Sequence, residues 1–306
     1  MVDAARGGDL NVFRRLQEVT PWVNAYRRAG LAIGFVPTLG ALHAGHRSLM
    51  RAARRECDRV VLSVFVNPTQ FGPDEDLDAY PRTPEDDLAA CRDEGVDLVW
   101  FAERDEMYPP RFQTWVAVED MTRALCGVSR PHHFRGVTTV VPQLLHVVRP
   151  HRAYFGQKDY QQSLVIRRLV DDLHIDTEVR VCPTQRDPDG LAVSSRNRYL
   201  SDAERQVALR LNRALGVGRD AILAGNTSRS RVTGEMMRVL QPGGELRLDY
   251  LEVRDAETLA ELSGDRLEVE TTPVVIVVAA FVGQARLIDN VVVQGRMAGC
   301  HEDRID

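Results

Sequence analysis

The stretch P-T-L-G-A-L-H-A-G-H-R-S-L-M, residues 37–50, decides how this chain is read. It follows LAIGFV (31–36), apolar enough for a buried strand, and runs into a segment with helical spacing over 46–56. Gly40 and Gly45 keep the four-residue gap of a phosphate-binding P-loop. Yet His46 stands where that loop needs Lys, and Arg47 where it needs a Mg²⁺-binding Ser or Thr. A strand that turns into a helix N-terminus favours anions, through free backbone N–H groups and the helix dipole. Gly45 is expected to let the backbone approach a ligand. His43 and His46 are three apart, so both rings can face one pocket and donate to phosphate oxygens as charge builds up there. A lone His is more often structural; H-x-G-H at a strand-to-helix turn is more specific.

Outward from this turn, VVLSVFV (60–66), DLVWF (97–101), RAYFG (152–156) and TEVRVCP (177–183) read as further strands. Helical spacing over 84–95 and 137–149 separates them, which implies βαβ units. The expected fold is α/β: a Rossmann-like parallel sheet with helices on both faces, over residues 1–185. Ligands of such a sheet bind at the carboxyl ends of its strands. The turns 37–46, NPTQFG (67–72) and GQKD (156–159) each follow a strand, so they can converge on one crevice. After the polar TQRDPDG (184–190) the pattern changes. A Ser-capped helix over 201–223, a second helix over 229–240, a QPGG turn (241–244) and strands at 246–255, 273–282 and 285–293 make a smaller α+β domain, 186–306. The last ten or so residues are expected to fray.

Composition bounds the function. The 306 residues carry 44% hydrophobic and 27% charged side chains, enough for a buried core, and a net charge of −5. That charge argues against nucleic acid as a partner. The basic cluster Arg47, Arg51, Arg54 and Arg55 has helical spacing and reads as a solvated face rather than a polyanion site. Cys57, Cys91, Cys126, Cys182 and Cys300 are scattered, with no C-x-x-C pair, as suits free thiols in a reducing compartment. No apolar signal core opens the chain, and the longest apolar run, 273–283, is too short to span a bilayer. A cytoplasmic protein without a membrane partner is the expectation.

H-x-G-H after a first strand resembles the signature of the nucleotidyltransferase superfamily, which includes class I aminoacyl-tRNA synthetases. The longer stretches PTLGALHAGHRSL, FVNPTQFGPDEDLDAYPRT, YFGQKDYQQ and SSRNRYLS, with HHFRGV (132–137) and RLIDN (286–290), closely resemble the pantothenate synthetase (pantoate–β-alanine ligase) family over nearly the whole chain. The resemblance implies condensation of pantoate with β-alanine through a pantoyl adenylate, with ATP consumed, pyrophosphate and AMP released, and Mg²⁺ required. It also implies a homodimer, for which QTWVAV (113–118) is a candidate edge strand.

The first step is attack of a carboxylate on the α-phosphorus of ATP. The nucleophile is already anionic, so the protein must position groups and neutralise charge. His43, His46, Lys158, Ser194, Ser195 and Arg196 are the catalytic candidates. By the resemblance, ATP meets these six and Pro37, Thr38, Leu39, Gly40, Gly45, Gly156 and Asp159. Asp159 would hold the ribose, with a helix N-cap as its competing role. Lys158, Asp159 and Gln162 can share one helix face. S-S-R (194–196) resembles the counterpart of the synthetase K-M-S-K-S loop, on a domain expected to close over ATP. Pantoate would meet Leu39, Asn67, Gln70 and Gln162, since amides both donate to and accept from hydroxyls; Asn67-Pro68 is also a turn signal. Arg130, with His133 and Tyr80, is the candidate site for β-alanine, although Arg130 and Arg135 suit structural or phosphate roles equally. Asp86 is the candidate Mg²⁺ ligand, whereas Glu85 and Asp87 read as the acidic first turn of a helix. Leu39 and Val193 stand where the family commonly has Met, an apolar exchange of similar volume.

Two other readings remain at this point. A nucleotidyltransferase with a phosphate-ester acceptor would call for Arg or Lys in place of Gln70 and Gln162. An inactive ATP-binding module would not need the intact set of six polar residues.

Overall fold

The computed structural model describes residues 9–73, 75–241 and 243–294. Cys300, the expected fraying after 294 and Pro242 of the QPGG turn lie outside the described residues. The chain divides at Asp187/Pro188 into two compact units, with Val193–Ser195 returning to the first.

The first unit carries β1 (Asn11–Phe13), α1 (Leu16–Arg28), β2 (Ile33–Thr38), α2 (Ala44–Glu56), β3 (Arg59–Val64), α3 (Pro84–Asp93), β4 (Leu98–Phe101), the single turns α4 (Arg104–Met107) and α5 (Cys126–Ser129), α6 (His133–Val148), β5 (Arg152–Gly156), α7 (Tyr160–Asp172) and β6 (Glu178–Cys182). The six strands form one parallel sheet in the order β1-β4-β3-β2-β5-β6. Successive side chains alternate between faces, and both faces are apolar. Phe35, Val61, Leu98 and Trp100 pack with α1, α6 and α7. Val36, Val60, Leu62 and Val99 pack on the other face with α2 and α3. The α/β expectation holds, with helices on both faces. The order runs from β2 to β3 and β4 on one side and to β5 and β6 on the other, so it reverses between β2 and β5. In sheets of this kind the ligand crevice lies at such a reversal, outside the carboxyl ends of the strands.

β2 extends through Pro37 and Thr38, two residues past the expected end. Pro37 is tolerated in a central strand because it lies beyond Gly34 and Phe35, the residues of β2 paired with β5. β1 and α1 are elements the sequence reading passed over. β1 is three partly exposed residues, too short to show alternation. α1 contains Pro21, which obscures its pattern, although buried Val19 and Val23 are one turn apart. Among the described residues QTWVAV (113–118) pairs with no strand of this chain. Val116 is pinned to α6 instead: its N–H donates to Thr139 Oγ1 (3.1 Å), and its carbonyl accepts from Thr138 Oγ1 (2.7 Å). Lys158 and Asp159 lie on a separate 3₁₀ turn, Gln157–Asp159, and not on the helix with Gln162.

The second unit holds α8 (Asp202–Leu223), α9 (Arg229–Leu240) and an antiparallel sheet β7-β8-β9 (Leu246–Asp255, Val274–Val282, Ala285–Val293). Ser201 caps α8 by accepting from the Glu204 N–H while Glu204 accepts from the Ser201 N–H. Val274, Ile276 and Val278 of β8 pack with Leu211, Leu215, Val232 and Met236 of the two helices.

Gly136 sets how close α6 comes to the 3₁₀ turn Pro68–Gln70. A Cβ there would lie 2.6 Å from the Gln70 nitrogen and the Thr69 carbonyl group. Those are backbone atoms, so neither side can yield. Gly136→Ala should destabilise the first unit by about 1–3 kcal/mol, the usual cost of overpacking. A urea unfolding midpoint unchanged from wild type would contradict this packing.

Candidate active site

The opening turn is built by two imidazoles. His43 is the N-cap of α2, and its Nδ1 accepts from the Gly45 N–H (3.1 Å). His46, three residues on, accepts at Nδ1 from the His43 N–H (3.3 Å). This is the reciprocal capping box with imidazoles in place of Ser and Glu. The rings stack with centroids 4.1 Å apart. Since both Nδ1 atoms are acceptors, each neutral ring carries its proton on Nε2. His46 is held well below the ordinary value of 6.5, first by burial and then by the charges of His43 and Lys158. At neutral pH it is an uncharged donor. The influence of Lys158 brings the Gln157–Asp159 turn beside α2, as the switch point requires.

Gly45 makes room for the His43 ring. A Cβ there would meet His43 Cε1 at 2.9 Å and Nδ1 at 3.0 Å. The expectation of free amides also fails. Gly40 N donates to Thr38 Oγ1 (3.2 Å), while Ala41 N (3.1 Å) and Leu42 N (2.8 Å) donate to the Asp87 carboxylate. The amides of residues 40–43 and 45 are thus already matched within the protein. The His46 Nε2–H is the imidazole donor of the turn with no hydrogen-bond partner among the described residues. Leu39 is half-buried and lines a cavity of about 490 Å³ with Val64, Phe65 and Phe101. At Gly156 an added Cβ would meet nothing within 4 Å, so the backbone there is open to close approach. Asp159 is exposed at the N-cap position of α7 and makes no capping bond, so the structural role lacks its hydrogen bond.

Asn67 is buried and fully engaged. Its Oδ1 accepts from Thr69 Oγ1 (2.9 Å), the Thr69 N–H (3.4 Å) and Tyr108 OH (2.9 Å). Its Nδ2 donates to the Gly136 carbonyl (3.2 Å) and to Gln70 Oε1 (3.1 Å). Both side-chain polar atoms of Asn67 thus have partners inside the protein. Backbone partners on both sides fix the orientation of this amide, so Gln70 must present its carbonyl oxygen to Asn67 and its NH₂ outward. Gln162 is half-buried and makes no hydrogen bond among the described residues. Its neighbour Gln161, which the sequence reading did not single out, is buried and binds Met121 O, Ala124 O and Cys126 N.

Arg130 forms a two-pronged ion pair with Glu75, through Nε at 2.7 Å and a second nitrogen, and also donates to the Gln70 carbonyl (3.2 Å). The His133 Nδ1–H donates to the same carbonyl (3.0 Å), which leaves an Nε2 lone pair, the opposite tautomer to His43 and His46. Burial, then Arg130, pushes His133 down to about 4. Tyr80 is buried edge-on to Phe71 (5.9 Å). Ser194 and Ser195 fall in the first unit and Arg196 in the second. Asp86 is exposed on the first turn of α3, and no cluster of three or more His, Cys, Asp or Glu suited to a metal occurs among the described residues. The arginine face of α2 is ion-paired: Arg47 with Asp93 and Glu94, Arg51 with Glu94, Arg54 with Asp97.

Imidazole donors at a strand-to-helix turn, with a lysine acting on His46, suit an enzyme that steadies a nucleotide's phosphates and needs no general base. That is the class of H-x-G-H nucleotide-dependent transferases and ligases. Comparison with known proteins narrows it. The family model for pantoate-beta-alanine ligase matches residues 11–292, and the chain belongs to that family. It is 49% identical to the pantothenate synthetase of Moorella thermoacetica, over 93% of this chain and 99% of that one. It is 53% identical to that of Acidobacterium capsulatum, over 85% of each. The crystal structure of pantothenate synthetase from Thermus thermophilus superposes with a TM-score of 0.83 at 45% identity, covering 92% of this chain and 98% of that one. The pantoate-beta-alanine ligase of Francisella tularensis, complexed with beta-gamma ATP and beta-alanine, gives 0.75 at 32% identity, covering 93% and 98%. The chain is an enzyme, and its activity is this ligation.

The low values of His46 and His133 make stability depend on pH. Between its folded value and 6.5 each ring binds more protons unfolded than folded, so stability rises with pH there and is lost as pH falls below about 6.5. For His133 the loss is complete by about pH 4 and amounts to at most about 3 kcal/mol. His133→Asn should flatten the decline in melting temperature between pH 6.5 and 4; an equally steep decline would remove His133 as a cause.

Proposed function

We propose that the chain makes pantothenate in two steps at the crevice between β2 and β5. A pantoate carboxylate oxygen attacks the α-phosphorus of ATP; the new O–P bond forms as the bond to pyrophosphate breaks. The β-alanine amine then attacks the acyl carbon of the adenylate, a C–N bond forms, and AMP leaves with loss of a proton. The observation that carries this is the pair of imidazoles at the helix start whose Nδ1 atoms are tied to the backbone, with the His46 Nε2–H available to phosphate. Lys158 supplies a movable charge next to them, and Ser194, Ser195 and Arg196 complete the polar set. Pro37, Thr38, Gly40 and Gly156 let the nucleotide lie close to the backbone, and Asp159 takes the ribose.

In this reading Gln70 and Gln162 hold pantoate against Leu39, and Gln70 acts as a donor only. Asn67 positions Gln70 and does not touch substrate. β-Alanine's carboxylate goes to Arg130 in exchange for Glu75, near His133 and Tyr80. Asp86 is the protein carboxylate that would meet a nucleotide-bound Mg²⁺, an ion that prefers waters and phosphate oxygens and would shield the charge of the leaving pyrophosphate. The smaller unit closes over ATP, which would protect the adenylate from water. The protein works as a homodimer in the cytoplasm, where ATP is supplied. Among the described residues no helix is long and apolar enough to cross a membrane.

The test is pyrophosphate–ATP exchange by the purified protein with Mg²⁺ and no β-alanine. Exchange should require pantoate; ATP binding without exchange would support the inactive module instead. Lys158→Ala and His46→Ala should each lower the exchange rate by about 10²–10³-fold, the usual effect of one lost charge-stabilising donor. Near wild-type rates in either would sink the phosphate assignment. Gln70→Ala should raise the pantoate KM with little change in the ATP KM; the reverse pattern would take Gln70 out of the pantoate pocket.

A further inference from the structure

We infer that Asp87 is a positioning residue for the reaction: its carboxylate fills the amide nest of residues 41–42 from the protein side and so turns the nucleotide onto the imidazole edge. The inference rests on the reading of this turn as the ATP site. Asp87 is 2% exposed, on the first turn of α3. Its Oδ2 accepts from the Ala41 N–H (3.1 Å), and its Oδ1 accepts from the Leu42 N–H (2.8 Å) and Thr83 Oγ1 (3.1 Å). Two peptide dipoles, a hydroxyl and the N-terminal turn of α3 compensate the buried charge.

The clamp also explains an unusual backbone. Gly40 (φ +86°) and Ala41 (φ +50°) are successive left-handed residues. For alanine that conformation is strained and persists only where the surroundings over-determine it. The carboxylate supplies that constraint. A Cβ on Gly40 would sit 3.1 Å from Oδ2 and 3.0 Å from Val64 Cγ1, so α3, β3 and the turn fit closely at this point. Leu42 leads directly into His43, and fixing its N–H fixes where the imidazole pair begins.

Charge gives the clamp its chemical meaning. In a P-loop these amides would receive a phosphate. Here a carboxylate already holds them and repels a second anion behind the turn. Phosphate oxygens are left to Nε2–H and Lys158. With its oxygens directed at Ala41, Leu42 and Thr83, Asp87 acts through the turn and not as a metal ligand.

Asp87→Asn keeps the shape but sets an NH₂ group against a backbone N–H. In pantoate-dependent exchange its kcat/KM for ATP should fall by about 100-fold, the scale of a small misplacement at a reacting centre. The pantoate KM should stay near wild type. A purely structural role would lower the melting temperature and leave the ATP KM unchanged, and that outcome, like unaltered exchange, overturns the inference. Should the variant not fold, amide hydrogen exchange of the wild-type protein decides. Ala41 and Leu42 should be protected without nucleotide and gain nothing when ATP is added. If they become protected only with ATP, the nest is open to phosphate and the inference fails. Absence of exchange by the wild-type enzyme would instead sink the functional reading, while the protection of Ala41 and Leu42 would still stand or fall by itself.

Discussion

The reciprocal cap between His43 and His46 is the interaction on which the site depends. Each Nδ1 takes a backbone N–H of the other's turn, so the helix start and the ring tautomers are set together. A Ser–Glu capping box would start α2 equally well, but it would leave no N–H donor edge facing outward. Gly45 belongs to the same device, since any side chain there would collide with the His43 ring. The helix dipole adds its positive end to the same place. The answer to the odd phosphate-loop-like turn is that its amides serve the fold, while its imidazoles are the groups proposed to serve the ligand.

A second constraint governs the turn proposed to hold pantoate. Gln70 is held by its side-chain oxygen through Asn67, and by its backbone carbonyl through Arg130 and His133. Gly136 lets α6 press against the same turn. Such an arrangement spends several buried polar groups to aim a single NH₂. It is stable because each member is satisfied: Asn67 by Thr69, Tyr108 and Gly136, and Arg130 by Glu75. The two tautomers in one site, Nε2–H at His43 and His46 and Nδ1–H at His133, follow from which ring nitrogen the backbone engages.

Much of this was legible in the sequence. The apolar strands over 33–38, 59–64, 98–101 and 152–156, and Ser201 at the head of α8, carry their own patterns, because burial on both faces and helix capping are local demands. H-x-G-H gave the turn away by spacing. β1 and α1 were missed: one is too short to alternate and the other is masked by Pro21. QTWVAV looked like a strand because its residues suit one. Within the chain Val116 is held by two threonines of α6, 22 and 23 residues on.

The sequence by itself determined the α/β alternation, the turn with its two histidines and the family to which the chain belongs. Each is a matter of residue types at short spacing. Only the tertiary structure decided what those residues do. Asp87 reads as an ordinary acid in a helix's first turn, and Asn67 as a turn signal or a substrate contact. Folding sets the first against the amides of Ala41 and Leu42, and the second against Gln70 and Gly136. The physical reason is that a polar group's role is fixed by the partner that desolvation forces it to find. Leu42 lies 45 residues from Asp87, and Gly136 69 residues from Asn67.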